Sequence, residues 1–286
     1  VVTTDASISI GGDTSTSGNY IVGGHTITPS AAAGTYGYGF GYTTGTLTVN
    51  TKALSVTSIA SVTATYGDSI SNGSVTFANA ETGDLVSVTA STVSATYSTS
   101  SNLKAGTYAQ ITGDTSDLTG ADAANYTLTA TTEANSLTVS QKAITYSIAA
   151  GAITYGASHT AGTITYSALE TGDLVSATAQ IDSVALSTAN KIAAGTYSQS
   201  LNGTHGGADV ANYTITLATA NTYVVSQKAI TYSIAAGAIT YGASHTAGTI
   251  TYSALETGDL VSATAQIESV ALSTANKIAA GTYSQS

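Results

Sequence analysis

The sixteen residues QKAITYSIAAGAITYG stand twice in this chain, opening at Gln141 and again at Gln227. Repetition on that scale constrains the fold before any residue is weighed, because each copy must solve the same packing problem and tolerate its neighbours. Residues 142–200 and 228–286 differ at one position in 59, Asp182 against Glu268, and KALSVTSIAS opens a more divergent copy at Lys52. Landmarks recur inside each copy: TYG at Thr65, Thr154 and Thr240, ETGDLVS at Glu81, Glu170 and Glu256, AGTY at Ala33, Ala105, Ala194 and Ala280, and ANYT at Ala124 and Ala211. The units therefore run 52–141, 142–227 and 228–286, the last one truncated. Residues 1–51 read as a partial, divergent unit, the end of a preceding repeat. The opening VVTTDASISI has no initiator Met and reads as mid-strand sequence from a longer chain.

Within a unit the pattern is β throughout. In AITYSIA, Ile144, Tyr146 and Ile148 alternate with Thr145 and Ser147, and LVSATAQI places Val175, Ala177, Ala179 and Ile181 on one face. Period two with one polar face is a half-buried strand, and no segment sustains a helical period. ETGD lies between two such runs and puts Gly172, like Gly83 and Gly258, where a hairpin needs positive φ. About seven short antiparallel strands per unit predict an all-β fold of tandem immunoglobulin-like two-sheet sandwiches. DAANYT and DVANYT sharpen this: Asp122-x-Ala124-x-Tyr126 and Asp209-x-Ala211-x-Tyr213 have the spacing of a tyrosine corner. There a Tyr at the start of a strand pins the adjoining loop by a backbone hydrogen bond. Units join through NSLTVSQKAITYSI and NTYVVSQKAITYSI, with no Gly, Pro or low-complexity spacer. The sandwiches are therefore expected to stand end to end as a rod with restricted bending.

Composition excludes several chemistries. There is no Cys, so neither a disulfide nor a thiolate site is available. A net charge of -10, with six Lys spread singly, disfavours nucleic acid, whose phosphates need clustered cations. Only 8% of residues are charged while 42% are hydrophobic, which is not the balance of a disordered chain. Water must be met mainly by Ser and Thr hydroxyls. No apolar run approaches the ~20 residues of a membrane span.

The order TYGDSI, ETGDLVS, AGTYAQITG, LTGADAANYTLT, NSLTVSQKAI over residues 52–286 resembles the MBG and YDG type repeats found in tandem in large bacterial surface adhesins and two-partner-secreted proteins. TYGASHTAG in the later units lacks the acidic residue and the proline usual after YG, and residues 1–32 match poorly. The resemblance implies a secreted or cell-surface stalk that projects a binding tip and supports adhesion or biofilm formation, with neighbouring repeats as its partners. It implies no enzymatic site. The alternative is a subunit of a self-assembling extracellular fibre or matrix, in which incomplete terminal sandwiches are completed by strand addition between copies.

Several residues invite a sharper chemistry. Asp114, Asp117 and Asp122 in GDTSDLTGAD are candidate calcium ligands, since Ca²⁺ takes several carboxylate and carbonyl oxygens. The counterpart LNGTHGGAD keeps only Asp209, so calcium is not a general requirement of the array, and loop and corner roles are the ordinary reading. His25, His159, His205 and His245 are dispersed, which gives no metal cluster or acid/base pair. Glu170 and Asp173 flank a tight turn, where carboxylates serve as turn formers and surface charges more readily than as a hydrolytic pair. The sequence thus assigns structural roles to Asp122, Tyr126, Asp209, Tyr213, Gly83, Gly172 and Gly258, and no catalytic residue or cofactor.

Overall fold

Alternating apolar and hydroxyl side chains become short strands distributed along the chain, with three one-turn 3-10 helices among the described residues. A computed structural model describes residues 2–4 and 6–286. The all-β expectation holds, and no helix among the described residues is long and apolar enough to cross a membrane. The chain divides into two compact bodies. The first comprises Val1–Ile144, Leu169–Val175 and Gly207–Thr214; the second comprises Thr145–Ala168, Ser176–Gly206 and Ile215–Ser286.

In the first body, Ser7–Ile10, Gly23–Ser30 and Gly45–Val49 form an antiparallel sheet in that order, with Gly45–Val49 at one edge. A four-stranded sheet has the order Ala90–Thr92, Gly106–Thr112, Thr132–Ser140, Val62–Thr65. Leu54, Val88, Tyr126 and Leu128 make a buried cluster, with Val56, Val75, Phe77 and Leu118 packed against it. Fully burying a Val, Leu or Phe side chain is worth about 1.5–3 kcal/mol, so such clusters supply the main favourable term.

In the second body, Tyr223–Ser226 lies between Gly151–Thr154 and Gly195–Tyr197. Its Tyr223 and Val225 form a buried cluster with Ile192, backed by Ile153, Tyr155, Ile181 and Tyr197. Ser176–Ile181 pairs with Gln199–Gly206. In residues 228–286 the described strand pair is Tyr232–Ile234 with Ile250–Tyr252.

Two expectations need correction. Pairing is not antiparallel throughout: Val62–Thr65 runs parallel to Thr132–Ser140, Lys52–Leu54 to Tyr126–Leu128, and Gly151–Thr154 to Tyr223–Ser226. The start and the end of a unit meet here, and so long a connection leaves the chain free to enter in either direction. Nor does ETGD close a tight, continuous hairpin: across Gly83 the flanking runs meet in a single antiparallel bridge, Ser74 with Thr89. Gly83, Gly172 and Gly258 do adopt positive φ, at 98°, 99° and 99°. The strand before Gly172, Ile164–Tyr166, nevertheless pairs with Lys142–Ile148, and the strand after it, Ser176–Ile181, pairs with Gln199–Gly206.

A buried glutamine staples each unit. Gln110 accepts from Gly73 N at 2.7 Å and donates to Ser136 O and Ala60 O, and Gln199 accepts from Gly162 N at 2.6 Å and donates to Ala149 O and Asn221 O. Gln285 repeats the bond to Gly248 N at 2.6 Å. An amide with its donors and acceptors matched satisfies loop backbone that no ladder reaches.

Candidate functional site

Tyr126 and Tyr213 do not pin the adjoining loop as the tyrosine-corner spacing predicts; each reaches the ETGD turn more than 40 residues upstream in its own unit. The Tyr213 hydroxyl accepts from Glu170 N at 3.0 Å and donates to Asp173 Oδ2 at 2.6 Å. Tyr126 does the same with Glu81 N at 3.1 Å and Asp84 Oδ2 at 2.6 Å. One-turn helices, Ala123–Asn125 and Val210–Asn212, deliver these tyrosines and place an aspartate just ahead of them. That aspartate reaches the backbone beyond the turn: Leu85 N donates to Asp122 at 2.7 Å, and Leu174 N to Asp209 at 2.9 Å. Asp122 and Asp209 are only 3% and 1% exposed, so their charges need further donors.

The preceding sequence unit supplies those donors. Thr99 gives its backbone N–H to Asp209 Oδ1 at 3.2 Å, and its hydroxyl lies between Asp209 Oδ2 and Gly172 O. Ala105 N donates to Asn212 Oδ1 at 3.0 Å. Tyr66 adds its hydroxyl to Asp173 Oδ2 and sets its ring edge-on to Tyr213, centroids 5.3 Å apart. Residues 1–51 make an equivalent set on the next unit: Thr16 on Asp122 and Gly83, Ser17 N on Asp84 at 3.2 Å, and Val22 N on Asn125 at 2.9 Å. All of these bonds lie within the first body.

A third set lies within the second body. Tyr155 donates to Asp259, and Ala189 N donates to Asp259 Oδ1 at 3.2 Å. Residues 228–286 hold no counterpart of Asp209, and Leu260 N is met instead by the Thr188 hydroxyl at 3.2 Å. Glycine at TYG serves the same boundary. Gly67 and Gly156 have φ of 92°, and a Cβ on either would overlap the carboxylate of Glu170 or Glu256 from the following unit. Those glutamates are themselves ion-paired to Lys142 and Lys228, as Glu81 is to Lys52.

The electrostatics follow from these bonds. Burial alone would raise the Asp84 carboxyl, but hydrogen bonds from Ser17 and Tyr126 hold it down, to about 2. Asp173 and Asp209 likewise resist burial and sit below the ordinary range, the first through Ser100, Tyr213 and Tyr66, the second through Leu174 N and Thr99. The Thr16 hydroxyl lowers Asp122 and the Tyr155 hydroxyl lowers Asp259. Burial and the neighbouring carboxylates push the phenols of Tyr66, Tyr126, Tyr155 and Tyr213 upward. At neutral pH each boundary is thus a charged acceptor held by neutral donors.

The other residues singled out by sequence lie apart from one another. Asp114 caps the one-turn helix Thr115–Asp117 by accepting from Ser116 N, and its own backbone N–H donates to Asp117 Oδ2 at 3.0 Å. Asp122 belongs to the junction, so the three carboxylates do not share a face. Among the described residues no group of three or more His, Asp or Glu is placed to hold a metal ion. His205 packs edge-on against Tyr146 and accepts from or donates to the Tyr166 hydroxyl at 2.9 Å. Sequence reasoning missed Thr16, Thr99, Asn125, Asn212, Tyr66, Tyr155 and the glutamine staples. The recurrence of TYG, ETGD and ANY was the available signal, and it marked positions without revealing that they face a neighbouring unit. No family model matches this chain, and neither a curated protein nor a solved structure does.

Proposed function

We propose that the chain is a structural spacer of a large extracellular bacterial adhesin, a series of immunoglobulin-like sandwiches set end to end as a rod that holds a binding tip away from the cell. The observation that carries this reading is the recurrence of side-chain bonds to a carboxylate at three successive boundaries between sequence units. The carboxylate takes a threonine or tyrosine hydroxyl from the preceding unit at each of them: Asp122 and Asp209, which are buried, and Asp259, which is half-buried. Such bonds oppose hinging at each boundary, and stiffness is what a spacer needs. Among the described residues, the buried side-chain polar atoms other than His25 Nδ1, Asp173 Oδ1 and Asn212 Nδ2 are hydrogen-bonded within the protein, which fits a protein that performs no catalysis and whose working partners are its own neighbouring repeats. Few charges and many hydroxyls suit a surface meant to stay inert.

Small-angle scattering at concentrations dilute enough for single chains tests this. The expected particle is a thin rod, and Thr99→Val with Asp209→Asn should broaden its distance distribution by loosening one boundary. A compact globule, or a rod indifferent to those substitutions, overturns the spacer reading.

A further inference from the structure

Asparagine followed by glycine occurs twice in this chain, at Asn72–Gly73 and at Asn202–Gly203, and the two pairs sit in opposite surroundings. The backbone nitrogen of the second residue can add to the side-chain carbonyl of the first, and glycine, lacking a Cβ, leaves that nitrogen least obstructed. In a folded protein the reaction requires that this N–H be free and that the backbone beside it can open. At Asn72–Gly73 both conditions fail. Gly73 is buried, and its N–H donates to Oε1 of the fully buried Gln110 at 2.7 Å. Asn72 Oδ1 accepts from the Thr92 hydroxyl at 2.9 Å, and a Cβ on Gly73 would overlap the Ala60 carbonyl, so the segment is tightly held.

At Asn202–Gly203 both conditions are met. The two residues are exposed and lie in Gln199–Gly206, a strand that among the described residues pairs on one edge alone, with Ser176–Ile181. Asp182 N donates to Ser198 O, so the alternation of an antiparallel ladder makes Thr178 and Asn202 a hydrogen-bonded pair. The next N–H, that of Gly203, therefore points away from the ladder, to the edge that no strand covers. Pairing also slips just beyond: Thr178 faces Asn202 but Ser176 faces Gly206, so Gly203, Thr204 and His205 together oppose Ala177. Gly203 has a φ of 85°, and a Cβ there would meet nothing. The reactive nitrogen thus lies on an open edge at the start of a bulge, where local opening is least costly.

We propose that Asn202–Gly203 is a self-modifying site, at which the folded chain converts asparagine to aspartate and isoaspartate with water alone, while Gln110 protects the same dipeptide at Asn72–Gly73. The Gly203 nitrogen gives its proton to solvent and adds to Asn202 Cγ. The Cγ–Nδ2 bond breaks, ammonia leaves, and a five-membered succinimide remains. Water then opens the ring. Opening at the side-chain carbonyl gives aspartate, and opening at the main-chain carbonyl gives isoaspartate, whose backbone runs through Cβ and is one carbon longer. One water is consumed and one ammonia released, with no change of oxidation state. Either product places a negative charge on a strand that has no carboxylate of its own. Isoaspartate also lengthens the main chain just ahead of the bulge and loosens the remaining pair, Ser176 with Gly206.

The full chain is kept warm in mildly alkaline buffer, folded in one set and unfolded in urea in another, and both asparagines are followed by peptide mass mapping. Unfolded, the two sites are expected to convert at similar rates, which gives the intrinsic reactivity of each. Folded, Asn202 should convert at least about tenfold faster than Asn72 relative to those rates, because reaction at Asn72 waits for an opening that breaks a buried hydrogen bond. Gln110→Leu removes the acceptor and should bring Asn72 at least to the rate of Asn202. The comparison of the two sites in the unsubstituted chain needs no variant, so it decides even where Gln110→Leu fails to fold. Equal relative rates in the folded chain, a faster Asn72, or an Asn202 that stays intact while the unfolded chain converts each overturns the proposal. A folded Gln110→Leu chain in which Asn72 remains slow overturns the protective role of Gln110. None of these outcomes bears on the spacer reading.

Discussion

Thr99 carries more of a junction than its size suggests. Its hydroxyl serves a carboxylate that is 1% exposed, and hydrogen bonds to charged groups contribute about 1.5–3 kcal/mol, against about 1 for neutral pairs. Thr99→Val keeps the shape and removes the donor, so it should lower unfolding stability by about 1.5–3 kcal/mol. Thr188 holds the equivalent place in the next unit, where its hydroxyl accepts from Leu260 N and helps to lower Asp259, a carboxylate only half-buried, so Thr188→Val should cost less, about 1 kcal/mol. Urea unfolding of the two variants compares them directly, and equal losses would show that burial of the carboxylate adds nothing. Neither threonine was legible as special. Asp209 and Tyr213 announce themselves by spacing, but Thr99 lies 110 residues before Asp209, in a stretch of hydroxyls within a chain full of them. Sequence showed the acceptor and hid the donor.

At the scale of elements, the strands were legible because their two faces differ, whereas their partners were not. Val62–Thr65 reads equally well as a parallel or an antiparallel strand, since alternation specifies a face and carries no direction. Even strand formation is conditional: the sequence GAIT is a strand at 151–154 and not at 237–240, and the difference is the presence of a neighbouring strand. Side chains that satisfy loops then decide how well a unit closes. Gln110 is fully buried and meets Gly73 N, Ser136 O and the Ser136 hydroxyl. Replacing it with Leu should strand those groups, each at about 1–3 kcal/mol. The amide of Gly73 should also lose its protection from hydrogen exchange. An unchanged exchange rate at Gly73 would mean that the glutamine fills space and no more. The repeated Gln of TYAQ and TYSQ was visible in the sequence, and its spacing of two from Tyr108 or Tyr197 puts it on the same face as the Tyr, but that spacing does not reveal the loop backbone it meets.

For the whole molecule, the boundaries set how stability depends on pH. Asp84, Asp122, Asp173, Asp209 and Asp259 all hold their protons less tightly when folded than when unfolded. A carboxylate depressed in this way contributes its full stabilisation above its unfolded pKa, about 3.9, and loses it as pH falls through the folded value. For Asp84 that value is about 2. The raised tyrosines act in the opposite sense: they stabilise below about 10, and that contribution is lost only as pH rises beyond it towards their folded values. The chain should therefore be uniformly stable between these limits and loosen between about pH 4 and pH 2. Acid also removes the net charge of -10, so the two effects must be separated. Asp84→Asn with Asp173→Asn does so, since amides do not titrate while most of the surface charge remains. That variant should unfold more easily at neutral pH and lose less of its stability between pH 4 and pH 2 than the unsubstituted chain. Parallel loss in both proteins would place the acid sensitivity in overall charge and remove the boundaries from the explanation.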